Sequence, residues 1–169
     1  MLVAMIVAMD KGESIGNKGE LPWKLSTDIK RFKKLTNAKG NNAVIMGRKT
    51  WDSLPEIYRP LSGRLNIVMS RNTNWRAEGA SNALYPGRAL EIAYSEGCEE
   101  CWIIGGSKIY ELFLDKVDEL HVTEVITQKS GEIKFPKWER TEWVQEIIEK
   151  QQKNESDEHD TIYSIWTRK

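Results

Sequence analysis

Asp28 is the acid whose neighbours suit chemistry. With i, i+4, i+7 spacing it shares a helical stripe with Phe32 and Leu35, beside Ile29, so its carboxylate faces whatever those side chains face. An acid in a helix's first turn also complements the dipole with no ligand at all. What favours chemistry is the preceding loop, Asp10 to Leu25, punctuated by Gly12, Gly16, Gly19 and Pro22 and ending in Leu21-Pro22-Trp23. Long loops in compact domains are usually functional or disordered, and this one is a candidate lid that excludes water from a pocket. A buried carboxylate without a cationic partner shifts its pKa or pairs with a ligand's N–H donors.

Twice a short apolar strand runs straight into glycine and then a helix: Val44-Ile45-Met46-Gly47-Arg48-Lys49-Thr50 and Trp102-Ile103-Ile104-Gly105-Gly106-Ser107-Lys108. A helix start offers unpaired N–H groups and the positive dipole end, and glycine there lets a phosphate approach the backbone. Both turns lie at carboxyl ends of strands, where open α/β sheets bind ligands. Neither matches the G-x-G-x-x-G or Walker patterns, so a standard Rossmann or P-loop nucleotide site is disfavoured. Arg59 and Arg64 flank a Pro-Leu-Ser-Gly turn, and Ser70-Arg71 follows a strand; arginine's planar fork suits carboxylate or phosphate, although solvated arginines are commonplace.

Other residue types point away from chemistry. Cys98-Glu99-Glu100-Cys101 is a lone C-x-x-C leading into a strand, without the second pair or histidines that a zinc site needs, so neither metal nor redox function is expected. His121 and His159 are isolated, and no nucleophile–histidine–acid order is evident. Of the seven tryptophans, Trp23 stands apart because it sits in the lid loop.

The elements that must position these groups follow from pattern. Met1–Met9 reads as a buried strand, and Ser26 or Thr27 as the cap of a helix to about Asn37. Strands are expected at Ala43–Met46, Leu65–Met69, 82–85, Cys101–Ile104 and Glu119–Ile126. Helices are expected from Gly47 to near Pro55, at Arg88–Glu96, and at Ser107–Leu114 with Ile109, Leu112 and Phe113 inward. Trp143–Ile148 and Thr161–Thr167 form an antiparallel hairpin around the charge-rich, solvated Lys150–Asp160. Strands alternating with helices, then a hairpin, define an α/β fold: a mostly parallel sheet with an antiparallel C-terminal edge and helices on both faces.

The chain has 169 residues, one domain's length, so residues 1–169 are expected to form a single domain. Twenty-five basic and twenty-five acidic side chains cancel, which gives no long-range pull toward nucleic acid or an anionic membrane. Two cysteines make no disulfide framework, and the apolar start lacks the charged flank of a leader and is too short to span a bilayer. A cytoplasmic monomer is the expectation.

In their order, these features resemble dihydrofolate reductases over nearly the whole chain. The likeness rests on Ala8-Met9-Asp10, Ile15-Gly16, Leu21-Pro22-Trp23 with Asp28, Val44 through Trp51, Ser53-Leu54-Pro55, Arg59-Pro60-Leu61, Gly63-Arg64, Ile103-Ile104-Gly105-Gly106, Tyr110, Thr123 and Phe135-Pro136. Each motif is weak; the ordered set is specific. The resemblance implies an eight-stranded sheet of that family's kind. It further implies NADPH-dependent reduction of dihydrofolate to tetrahydrofolate, by hydride transfer to C6 with protonation at N5.

By the same resemblance, Asp28 binds the pterin and favours its N5-protonated form, steadied by Thr123, while Leu21 and Trp23 belong to the closing loop. Ile6, Ala8 and Ile104 line the pocket, with Ile29 and Tyr110 beside the substrate. Phe32 and Leu54 hold the aminobenzoyl ring, Arg64 clamps the glutamate α-carboxylate, and Arg59 lies nearby. Ala8, Ile15, Gly16, Met69 and Ile104 contact the cofactor. Gly47, Arg48, Lys49 and Thr50, with Gly105, Gly106, Ser107, Lys108 and Ile109, cradle its pyrophosphate. Arg48, Ser70 and Arg71 meet the 2′-phosphate, and Gly105-Gly106 is the candidate for the family's cis peptide.

The chain departs from the family pattern in places. Ser26 and Thr27 stand where proline is common nearby, Arg31 occupies an often aromatic site, and Gly131-Glu132-Ile133 replaces Gly-Asp-Thr. The stretch Pro55–Tyr58 is longer than in many bacterial members. Two other readings compete: a same-fold reductase of another heterocycle, against which Arg64 and Phe32 argue, and a catalytically idle nucleotide-binding homologue, against which the acid, lid and both glycine corners argue.

Overall fold

Nearly unbroken apolar character from Leu2 to Met9 makes sense only for a strand covered on both faces, and that strand lies at the heart of the molecule. In a computed structural model of the chain, residues 1–16, 23–38, 40–128 and 131–169 are described. The elements in chain order are β1 (Leu2–Asp10), β2 (Ser14–Gly16), α1 (Ser26–Thr36), β3 (Asn42–Gly47), α2 (Arg48–Ser53), β4 (Leu65–Met69) and β5 (Ala80–Ala83). There follow α3 (Pro86–Ser95), β6 (Glu100–Ile103), α4 (Ser107–Phe113), β7 (Glu119–Ile126), β8 (Ile133–Lys134), β9 (Trp143–Gln151) and β10 (Asp160–Arg168).

The main sheet has eight strands in the order β5-β4-β3-β6-β1-β7-β10-β9. The strands from β5 to β7 pair in parallel; β10 runs antiparallel to β7 and to β9, so the C-terminal hairpin supplies the antiparallel edge. This is the α/β architecture expected from the pattern. Alternating side chains of β1 feed two cores. Val3, Met5, Val7 and Met9 pack toward Ala89 and Ala93 of α3 and Ile109 and Phe113 of α4. Ala4 and Ile6 pack on the opposite face with Val44, Met46, Trp51 of α2 and Leu35 of α1. Helices therefore cover both faces, and the carboxyl ends of β1, β3, β4 and β6 open toward the same rim.

Several details differ from expectation. The parallel edge strand is Ala80–Ala83 rather than 82–85, because Pro86 already begins α3. The long loop after β1 carries β2, which pairs with β8 in a separate ribbon. In α4 the inward residues are Ile109, Tyr110 and Phe113, while Leu112 is 46% exposed; on so short a helix one apolar stripe cannot include it. Neither Ser26 nor Thr27 caps α1. Instead the Asp157 carboxylate, buried in the mostly exposed β9–β10 loop, accepts from the Thr27 amide at 2.8 Å and from its hydroxyl at 2.6 Å. Among the described residues, no helix is long and apolar enough to cross a membrane.

Candidate active site

The register of the sheet puts Ala8 of β1 beside Thr123 of β7, Thr123 beside Tyr163 of β10, and Tyr163 beside Glu149 of β9. Paired residues share a face, so these four make one row across the sheet. Helix α1 lies over that row. Asp28 meets Thr123, whose hydroxyl donates to Asp28 Oδ1 at 2.6 Å. Arg31, one turn on, donates to the same oxygen at 3.2 Å. No donor from the described residues reaches Oδ2, which leaves one carboxylate oxygen free for a ligand. Burial holds the Asp28 carboxyl above its ordinary range; the Thr123 bond and then Arg31 pull it partly back, and Asp157 pushes it up.

Trp23, at the end of the candidate lid, is buried with Leu25 and Val125 against Ala8. Leu21 lies outside the described residues, as do Gly19 and Pro22. Near the start of the loop, Asp10 is buried and its Oδ1 accepts from the Ser14 amide at 2.9 Å. Ile15 and Gly16 belong to β2, where Ile15 packs on the larger core. Of the other pocket candidates, Phe32 is half-buried on the Asp28 face, Leu54 and Ile104 pack with Ile6 on the smaller core, and Ile29 is 62% exposed on α1. Tyr110 is buried and donates to the Ile6 carbonyl at 2.8 Å, tying α4 to the central strand; burial pushes its phenol well above the usual range.

Arg64 is half-buried. It donates through Nε to the Ser62 carbonyl and through Nη1 to Thr36 Oγ1, each at 2.9 Å. Its Nη2 has no acceptor among the described residues, so part of the fork is available to an anion. Arg59 approaches the exposed Glu56, at 3.8 Å, and no other acid among the described residues.

The two glycine corners lie side by side. The Gly47 amide donates to the Gly105 carbonyl at 2.9 Å, and the Ile104 amide to the Ile45 carbonyl at 2.9 Å. A Cβ on Gly47 would stand 3.0 Å from Ile109 Cγ1. A Cβ on Gly105, whose φ is +114°, would stand 3.2 Å from the Tyr110 ring. At Gly105 the positive φ favours glycine, and at both corners a Cβ would crowd a neighbouring side chain. The Gly105–Gly106 peptide is cis, as the resemblance implied. Neither α2 nor α4 has a side-chain cap, so their first amides face the rim unpaired by side chains. These corners suit a diphosphate. Thr50 approaches Gly106, Ser107 donates to the Lys134 carbonyl, and Lys49 is exposed. Lys108 is likewise exposed, while Arg48 is only 3.8 Å from Asp52. Beyond β4, where Met69 is buried, Ser70 Oγ accepts from the Asn72 amide and Arg71 is exposed without an ion-pair partner among the described residues.

Pattern reasoning missed two features. Asp157 reaches α1 from a distant loop, and nothing in its local sequence marks that. The brace on Arg31 was also hidden: its Nη2 donates to Glu149 Oε2 at 2.8 Å, and its guanidinium lies 4.3 Å over the Tyr163 ring.

A mostly parallel α/β sheet with two glycine corners at its strand ends and a half-buried acid on the helix above it is the frame of a small-molecule-binding protein. Comparison with known proteins makes that specific. The family model described as dihydrofolate reductase matches residues 2–168, and the chain belongs to that family of oxidoreductases. Over 143 residues it is 38% identical to "Dihydrofolate reductase type 3" of Salmonella typhimurium, covering 85% of this chain and 83% of that one. It is 43% identical over 126 residues to the dihydrofolate reductase of Mycobacterium leprae, with 75% and 73% covered. Along nearly its full length, 168 residues, it is 32% identical to the Bacillus subtilis dihydrofolate reductase, with 99% and 95% covered. It also matches a bifunctional dihydrofolate reductase-thymidylate synthase of Arabidopsis thaliana, at 40% identity over 136 residues, spanning only 24% of that protein.

Proposed function

We propose that this chain reduces dihydrofolate to tetrahydrofolate with NADPH, adding hydride to C6 and a proton to N5 of the pterin. The observation that carries the proposal is the Asp28 carboxylate, with Oδ1 occupied by Thr123 and Arg31 and Oδ2 open. The open Oδ2 can accept from the pterin's amino group or its adjacent ring N–H, because a carboxylate offers only acceptors. Bound there, the negative acid orients the ring and stabilises its N5-protonated cation, the form that accepts hydride. Water delivers the N5 proton.

NADPH, when bound, supplies the hydride. The uncapped helix starts at Gly47 and Gly106 would hold its pyrophosphate, with Arg48, Lys49, Thr50, Ser107, Lys108 and Ile109 around them. Ser70 and Arg71 would meet the 2′-phosphate, and Met69, Ile15, Gly16, Ala8 and Ile104 would flank the rest. On the substrate side, Ile6, Ala8, Ile29, Leu54 and Tyr110 would line the ring and Phe32 the aminobenzoyl group. Arg64, with Arg59 nearby, would take the glutamate carboxylate. Leu21 and Trp23 would close the site against water. We further read residues 1–169 as one such domain, a cytoplasmic monomer that acts on a small molecule, with no nucleic acid or membrane partner and no metal.

The test is direct. Purified chain mixed with dihydrofolate and NADPH should consume NADPH, with loss of its absorbance dependent on both substrates. A folded protein that leaves the absorbance unchanged overturns the proposal.

A further inference from the structure

We propose that Arg31 is a positioning residue of the Asp28 site, which, braced from the far edge of the sheet, keeps the acid ionised and one of its oxygens turned to the substrate. The proposal rests on the assignment of Asp28 as the pterin-binding acid. An i,i+3 cation beside an acid on an exposed helix contributes little. This one differs in its surroundings. Its side chain is only 10% exposed, and three partners hold it: Asp28 Oδ1 at 3.2 Å, Glu149 Oε2 at 2.8 Å and the Tyr163 ring at 4.3 Å. Those partners come from α1, β9 and β10, and Thr123 of β7 completes the row beneath. The sheet's register therefore sets the guanidinium's place, and the guanidinium and Thr123 together occupy Oδ1.

The charges around the pair are few. Guanidinium stays protonated throughout the working pH range, so it acts as a fixed positive charge. Facing Asp28 are Arg31, the Thr123 hydroxyl, the neutral phenols of Tyr110 and Tyr163, and the Asp157 carboxylate, which opposes ionisation. Burial pushes the Tyr163 phenol up to about 12. Glu149 faces Arg31 from β9. Behind Tyr163 lies His121, whose Nδ1 accepts from the Tyr163 hydroxyl at 2.6 Å while its Nε2 donates to Glu119 at 2.8 Å; burial lowers its pKa, which keeps it neutral. Arg31 is thus the one fixed cation in direct contact with Asp28 among the described residues, and removing it leaves a half-buried acid beside Asp157.

The experiment compares Arg31→Met and Arg31→Lys with the parent chain by two readouts. The first is the pH dependence of kcat/KM for dihydrofolate. The second is a carbon NMR titration of the Asp28 carboxyl without ligands, which needs no turnover. An opposite charge this close lowers a carboxyl pKa by about 1–3 units, so Arg31→Met should raise both midpoints by about one unit. Arg31→Lys, which keeps the charge and loses the fork, should fall between. Arg31→Gln replaces the Met variant if that one does not fold. Midpoints unchanged in the Met or Gln variant, with only a lower melting temperature, overturn the proposal and leave Arg31 a packing residue. A parent chain that does not reduce dihydrofolate sinks the functional assignment instead, while the titration still decides what Arg31 does to Asp28.

Discussion

Replacing Asp28 by Asn tests the assignment most sharply, because the structure dictates how the new amide must lie. Thr123 Oγ1 and Arg31 Nη1 are donors that converge on Oδ1. Asparagine satisfies them only by turning its carbonyl oxygen to that side, which points its NH2 at the ligand. The pterin's N–H donors then meet a donor where they met an open carboxylate oxygen. Hydrogen bonds to a charged acceptor are worth about 1.5–3 kcal/mol each. A unit charge pair near 4 Å at an effective dielectric of about 20 is worth roughly 4 kcal/mol. The two figures describe overlapping effects, so about 4 kcal/mol is the sensible total, or roughly a thousandfold in rate at 1.36 kcal/mol per decade. Steady-state turnover of NADPH and dihydrofolate at neutral pH should fall by that factor. It should recover in part as the pH drops, because free substrate then arrives already protonated. Circular dichroism should be unchanged. An Asn variant within tenfold of the parent at neutral pH would refute the reasoning and move the role to another group.

Three further outcomes follow from the same geometry. Arg64→Leu should raise the KM for dihydrofolate by about 10–100-fold with little change in kcat, since the half-used fork contributes binding that is uniform along the reaction; a shorter substrate lacking the glutamate should feel no such loss. Arg71→Ser should cut the preference for NADPH over NADH by about tenfold, read as the ratio of the two kcat/KM values, because an arginine with no ion-pair partner among the described residues is there to meet an extra phosphate. Asp28→Asn should also raise the melting temperature at neutral pH. The sign follows from burial: with the folded carboxyl pKa raised, the stability carried by the neutral acid is complete below its ordinary pKa and is lost as pH rises through the folded value. The gap between the two proteins should therefore close in acid, as differential scanning calorimetry would show.

Local chemistry was legible in the residues, and distance was not. The βα corners could be read because each needs only a few consecutive residues: a buried strand, a glycine where a Cβ would crowd a neighbour, and a helix start. Asp28's inward stripe was legible for the same reason, since helical period is a local property. Leu112 misled because α4 spans only two turns, where period alone cannot say which apolar residue is left outside. The α1 cap misled more instructively. Ser26 and Thr27 are good capping types, yet a carboxylate 130 residues away does the work, and no window on the sequence contains both partners. The Thr123–Asp28 bond, 95 residues apart, was reachable only through resemblance to a family.

The strand order explains why the site assembles where it does. Chain order and spatial order differ at β1, which lies between β6 and β7, so Ala8 comes to stand beside Thr123 with the Gly105 corner on its other side. The parallel strands carry the phosphate-sized corners, whereas the antiparallel hairpin carries Tyr163, Glu149 and the loop with Asp157. Helix α1 bridges the two regions. Its N-terminus is pinned by Asp157 and its next turn by Glu149, so the acid between them is held from the hairpin side. A one-residue slip of β10 against β7 would turn Tyr163 to the other face and remove the seat of Arg31 without touching any residue in the pocket. The hairpin therefore belongs to the site's supporting structure, and substitutions in the β9–β10 pairing should act on the chemistry through the position of α1.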